Sequence, residues 1–166
     1  MKQKYLFGWI LWLAFANAHS AEYKYVNYSV PDDFENGRSE FVLNSSSKEI
    51  LTTDVVSDIF VCEQGKEFYC FSCAWISFYV PTAGLDIGKN WKFDQIAFRV
   101  LRKDSIEIFG TSNVIWIIEA NRSGRAGGEQ IFYYSEENGL LGIKSITGKD
   151  RRIDFFVIAG KKGFPR

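Results

Sequence analysis

The sequence predicts an all-β domain, an antiparallel barrel or sandwich of about nine or ten strands after an N-terminal signal peptide. Three observations carry that expectation. From residue 19 onward the chain has 15 Ile and 10 Val but only 6 Leu, together with 13 Phe, 7 Tyr and 3 Trp. β-Branched and aromatic side chains fit a pleated, half-buried surface, whereas Leu, Met and Ala favour helices. Apolar and polar residues alternate along several segments, as they do on a strand with one buried face. Clusters of Gly, Asn, Asp, Ser and Pro recur between these segments at short intervals.

The first 18 residues are expected to lie outside the fold. Met1-Lys2-Gln3-Lys4 is basic, Tyr5 to Ala16 is apolar, and small residues follow at Ala14, Ala16 and Ala18. That order describes a secretory signal peptide, and the apolar run is shorter than the ~20 residues of a membrane span. Cleavage sites fall between Ala16 and Ala21, with Ala18 as the working choice. Residues 19–166 then form one exported β domain, periplasmic or secreted, with no integral span after cleavage.

The strands follow in order. Tyr23 to Val30 alternates and stops at Pro31, and Asp32 to Arg38 reads as a turn-rich loop. Phe41 to Leu43 is a short strand, and Asn44 to Ser47 a polar loop. Ile50-Leu51 and Val55 to Cys62 read as strands, with a helical turn capped by Asp54 as the alternative near residues 53–58. Gln64-Gly65 marks a tight turn. Glu67 to Val80, stopped by Pro81, reads as one long strand. Trp91 to Arg102 reads as another, turned at Lys103-Asp104 into Ser105 to Gly110 and Asn113 to Ala120. Residues 121–128 hold three Gly and no large apolar residue. Glu129 to Tyr134 and Leu140 to Ile146 form a hairpin around Asn138-Gly139, both able to take positive φ. Arg151 to Ala159 is the last strand, and a basic tail follows.

Charge is unevenly spread. Residues 19–58 carry 3 basic and 8 acidic side chains, and residues 144–166 carry 7 and 2. The basic end reads either as a face for anions, such as lipid headgroup phosphates, or as a segment neutralised by the acidic first third. Balanced charge over the whole chain removes the simplest argument for a nucleic-acid partner.

Cys62, Cys70 and Cys73 are the disulfide candidates. An exported chain permits a disulfide, and an odd number of thiols leaves one over. Cys70 and Cys73 on one strand would point to opposite faces, so Cys62 is expected to pair with Cys70 or Cys73 across a hairpin. A redox reading of Cys70-Phe71-Ser72-Cys73 lacks the helix N-terminus that lowers a thiol pKa.

Catalytic groups are few. His19 is the only histidine, beside the cleavage site, so a Ser–His–Asp or Cys–His centre within the fold is excluded. As an N-terminal residue, His19 resembles the start of the copper-dependent polysaccharide monooxygenases, whose copper brace needs a second His that this chain lacks. No metal and no cofactor are expected. Asp32, Asp33 and Glu35 in one loop and Glu136 and Glu137 in another are the acids available to a carboxylate-based hydrolase acting on polysaccharide or cell wall. The possible ligand contacts are Trp75, Tyr79, Trp91 and Trp116, whose rings would suit a groove, and Arg122 and Arg125, which would face an anion. The leading expectation is an exported non-catalytic β domain binding a protein partner or ligand, of the inhibitor, adaptor or toxin-neutralising type.

Overall fold

The computed structural model describes residues 22–29, 40–53, 55–63, 66–122, 128–148 and 151–164. The predicted signal peptide, His19, Asp32, Asp33, Glu35, Asp54 and Arg125 lie outside the described residues. Thirteen strands are seen: β1 (Glu22–Asn27), β2 (Glu40–Asn44), β3 (Glu49–Thr52), β4 (Val56–Asp58), β5 (Phe60–Val61), β6 (Phe68–Ser72), β7 (Ser77–Pro81), β8 (Asn90–Phe93), β9 (Ile96–Ile108), β10 (Thr111–Arg122), β11 (Glu129–Ser135), β12 (Gly139–Thr147) and β13 (Arg152–Ile158). The all-β expectation holds, and the described residues form no helix.

Ten strands make one antiparallel sheet in the order β4-β3-β2-β1-β13-β12-β11-β10-β9-β8, and β5-β6-β7 make a second. The topology is two meanders joined where β1 pairs with β13, Tyr25 opposite Ile158 and Asn27 opposite Phe156. The large sheet is open, with β4 and β8 as its two edges, so a closed barrel is set aside. The pairing of β1 with β13 also places the basic end of the chain beside the acidic start.

One face of the large sheet carries the core. Alternation sets it: Tyr23 and Tyr25 on β1, Phe41 and Leu43 on β2, Phe98 and Val100 on β9, Phe132 and Tyr134 on β11 are all buried. The small sheet packs on this face through rings. Phe78 meets Phe132 at 5.3 Å between centroids, Phe71 meets Phe164 at 5.1 Å, and Trp75 meets Phe41 at 5.3 Å. Such edge-to-face pairs add to the area they bury. The register slips between Ile117 and Ile118 and between Tyr133 and Tyr134, leaving Leu101 and Leu141 as the extra residues of two β-bulges. A bulge turns the following side chains to the other face, which explains why Leu140, Leu141 and Ile143 are all buried.

Several sequence expectations need correction. Among the described residues there are thirteen strands, and two long runs are divided. Glu67 to Val80 breaks into β6 and β7 at a turn where the Cys73 N–H donates to the Ile76 carbonyl at 2.8 Å. Its unbroken apolar character arises because residues 77–80 are buried on both faces. Trp91 to Arg102 breaks at Asp94-Gln95, with Asp94 at φ 53°. No turn forms at Lys103-Asp104. That polar pair lies inside β9, where the strand projects into solvent with residues 102–105 exposed. The turn comes at Phe109 and Gly110, both at positive φ, 51° and 71°, as a two-residue hairpin requires. Of the alternative helical turn near residues 53–58, Val56–Asp58 form β4.

Candidate binding surfaces

Two concave features flank the small sheet, one at each end of β7. The larger is a groove of about 860 Å³ lined by Ile59, Phe60, Val61, Phe68 and Phe93, with Lys48, Glu63, Lys66 and Glu67 on its rim. It lies against β5, an edge of the small sheet, and β5 follows directly on β4, an edge of the large one. Cys62 lines it too. A disulfide joins Cys62 to Cys70, with the Cα atoms 5.2 Å apart. It ties the end of β5 to β6, one of the two pairings open at the sequence level. Cys73, in the β6–β7 turn, is outside the disulfide.

Exposed apolar residues concentrate at this end of the molecule. Leu51, Val55, Val56 and Phe60 are 46%, 55%, 61% and 56% exposed. Leu51 and Val56 stand opposite each other across β3 and β4. All three residues of β4 face solvent. An edge strand presents unpaired backbone groups, and an apolar patch beside it is unusual on a surface with no partner.

The smaller feature is a cavity of about 200 Å³ between the start of β7 and strands β10, β11 and β12, where Trp75, Ser77, Arg122, Gln130, Ser145 and Thr147 meet. Its groups hold one another in place. Arg122 Nη2 donates to Ser77 Oγ at 3.0 Å, and Ser77 Oγ shares a hydrogen bond with Ser72 Oγ, also at 3.0 Å. Gln130 accepts the Ser77 N–H at 3.3 Å and donates to the Trp75 carbonyl at 2.7 Å.

Five of the six sequence-predicted contact residues are described, and they fall in different places. Trp75 and Arg122 share the small cavity. Tyr79 is buried and stacks on Phe93 at 3.9 Å. Burial pushes its hydroxyl above the usual tyrosine range, opposed by a hydrogen bond from Ser72. Trp91 stacks on Phe98 at 5.4 Å and donates its indole N–H to the Tyr79 carbonyl at 3.0 Å. These rings join β7 to β8 and β9 as packing. Trp116 is buried beneath Lys103, whose ammonium sits 4.6 Å from the ring centroid, a cation–π contact across β9 and β10. Arg125 lies outside the described residues.

Sequence reasoning missed the partners in both features. Ser77 and Ser145 carry no motif, and Gln130 looked like an ordinary strand residue. Phe60, Val55 and Val56 fall in a segment that the sequence reads as strand, with a helical turn as the alternative near residues 53–58. Among the acids, Glu136 and Glu137 sit at the β11–β12 turn, Glu136 exposed and Glu137 exposed beside it. Among the described residues no group of three His, Cys, Asp or Glu side chains is placed to hold a metal ion. No described helix is long and apolar enough to cross a membrane.

No protein family, curated protein or solved structure matches the chain.

Proposed function

We propose that the protein is an exported, non-catalytic binding domain that takes an extended segment of a partner protein along the β4–β5 edge and into the adjoining groove. The observation that carries this reading is the concentration of Leu51, Val55, Val56 and Phe60 at 46–61% exposure on and beside β3, β4 and β5, of which β4 and β5 are sheet edges. Adding a strand to a sheet edge supplies backbone hydrogen bonds, while pockets beside it select alternate side chains. The groove offers both apolar walls and rim charges of both signs, Lys48 and Lys66 with Glu63 and Glu67. That suits a mixed polar and apolar peptide better than a polyanion. The Cys62–Cys70 disulfide holds the groove wall and is compatible with an exported protein.

The test compares the exported chain with Val56→Lys and Phe60→Asp variants in cross-linking to proteins of its own exported fraction. Ile87→Ser, at an exposed apolar residue elsewhere, serves as control. The expected result is a discrete cross-linked partner lost in both edge variants and kept in the control. An unchanged cross-linking pattern in the edge variants overturns the reading, as does sedimentation showing that the edge instead joins two copies of this chain.

A further inference from the structure

We propose that the cavity at Arg122 is a carboxylate-binding site. The guanidinium carries a permanent charge and five N–H donors in a planar fork. Only one of these is engaged, by Ser77 Oγ, and among the described residues Arg122 makes no ion pair. Its nearest acids along the chain do not answer it. Glu119 projects to the opposite face of β10 by strand alternation, and Glu129 stands opposite Asn121 and lies 3.8 Å from Arg151. Asp154 stands next to Ser145 on β13, on the same face of the sheet, where Asn27 Nδ2 at 3.1 Å and Arg152 Nε at 3.5 Å already engage it. Asp94 is exposed at the β8–β9 turn.

A second observation points into the same space. Ser145 is only 6% exposed and lines the cavity. A hydroxyl beside a cation with N–H groups that Ser77 does not engage is what an incoming oxyanion would meet.

The size and walls select the ligand. About 200 Å³ is below the ~300 Å³ at which pockets for drug-sized ligands begin, so the site takes a headgroup and a short stem. One positive charge matches a monoanion, and a guanidinium fork matches the planar carboxylate in a two-point contact. Trp75, Ile96 and Ala120 offer the stem apolar walls. Arg122 is oriented before any ligand arrives, because Ser77 holds it and Gln130 holds Ser77, and such preorganisation lowers the entropy lost on binding. The carboxylate comes either from a free short-chain acid or from the C-terminus of a peptide. This site stands apart from the β4–β5 edge and does not depend on it.

The experiment titrates the exported chain with propionate and with propionamide, following calorimetry and the NMR signals of Arg122 and Ser145. A tripeptide of alanine with a free or amidated C-terminus forms the second arm. Propionate is expected to bind and shift both signals, and propionamide is not. Arg122→Gln is expected to weaken propionate by about tenfold or more, the scale of a lost charge-assisted hydrogen bond. Ser145→Val, which keeps the charge, is expected to weaken it by a few-fold. Tighter binding of the free-acid tripeptide than of propionate assigns the site to a peptide terminus, and the reverse order assigns it to small acids. Should Arg122→Gln fail to fold, Arg122→Lys keeps the charge, loses the fork and is expected to weaken propionate measurably. Equal response to acid and amide, no saturable response to either acid, or unchanged affinity in the Arg122 variants overturns the proposal.

Discussion

The Tyr25 hydroxyl receives the backbone N–H of Phe164 at 3.2 Å, across 139 residues of chain, while donating to the Leu140 carbonyl at 2.8 Å. One buried phenol thereby joins the first strand, the start of β12 and the last described residues. Phe164 in turn edges onto Tyr23, Phe71 and Phe78, so this residue is a wedge between the two sheets.

Removing that hydroxyl should be felt throughout the fold. Tyr25→Phe leaves the buried Phe164 N–H without its acceptor and deprives Leu140 of a donor. The ring and its stacking on Phe41, 4.7 Å away, remain. An unsatisfied buried group costs about 1–3 kcal/mol, and urea unfolding should show a midpoint lowered accordingly. A change within error would mean that water enters to replace the hydroxyl.

The same residue predicts alkaline behaviour. Burial holds the Tyr25 hydroxyl far above the ordinary value of 10.0. Burial also raises Tyr79 and Tyr133. For each, the folded protein keeps a proton that the unfolded chain releases near pH 10. Their contribution is therefore complete below that pH and declines as pH rises through it and beyond. Thermal unfolding followed from pH 8 to pH 11.5 should be flat with respect to these groups at first, then fall. Tyr25→Phe, already less stable, should show the shallower alkaline decline. An equal or steeper decline in the variant would remove Tyr25 as its main source.

Two glycines are fixed by the same junction. Gly163 packs its α-carbon against the Leu140 carbonyl, and Gly139, at φ 76°, packs against the Gly163 carbonyl. A Cβ at either position would collide with backbone that Tyr25 and the Leu140–Phe164 bridge hold in place. Gly163→Ala should destabilise by about 1–3 kcal/mol, the range of overpacking. Gly160→Ala, where a Cβ meets nothing within 4 Å, should leave the unfolding midpoint within error. Equal effects of the two substitutions would show that the wedge is not rigid.

The Cys62–Cys70 bridge closes a short loop, with a sequence separation of 8. Chain-entropy arguments give about 2.5 kcal/mol for a loop of that length. A Cys62→Ser, Cys70→Ser double variant should unfold at correspondingly lower denaturant. If reduction leaves the midpoint unmoved, strain in the native loop offsets the entropy.

How far the sequence discloses this molecule depends on the range of the interaction. Alternation at Tyr23 and Tyr25 or Phe41 and Leu43 names the buried face directly, because strand geometry is local. The Asn138-Gly139 turn is legible for the same reason. The polar pair Lys103-Asp104 misleads because a strand reaching into solvent has the composition of a turn. The run from Glu67 to Val80 misleads in the opposite sense, since burial on both faces erases alternation and hides the turn at Cys73. The Arg122 cavity is invisible from the sequence. Arg122 meets Ser77 across 45 residues, and Gln130 meets Trp75 across 55. Asn27, an ordinary polar residue of the first strand by sequence, is another such case. Its side chain donates to Asp154 and accepts the N–H groups of Ser29 and Phe155, which makes it a splice between β1 and β13.

Docking of the small sheet should rest most heavily on Phe78. The residue is fully buried, and its ring meets Phe71, Phe132, Tyr134 and Phe164 at centroid distances of 5.8, 5.3, 5.8 and 6.4 Å. Two of those partners, Phe132 and Tyr134, belong to the large sheet, Phe71 to the small one, and Phe164 to the chain end. Phe78→Ala therefore empties the point where all three meet. A buried Phe→Ala change costs about 3–5 kcal/mol, through lost transfer free energy and the cavity left behind. Phe109→Ala, at a hairpin tip where the side chain is 62% exposed, should stay within ~0.5 kcal/mol. Hydrogen exchange separates loss of docking from uniform destabilisation. If Phe78 is the anchor, amides of β6 and β7 should lose protection earlier than those of β12 and β13 in the variant. Loss of protection by the same amount in all four strands would mean that the two sheets unfold as one unit and that Phe78 has no special share in joining them.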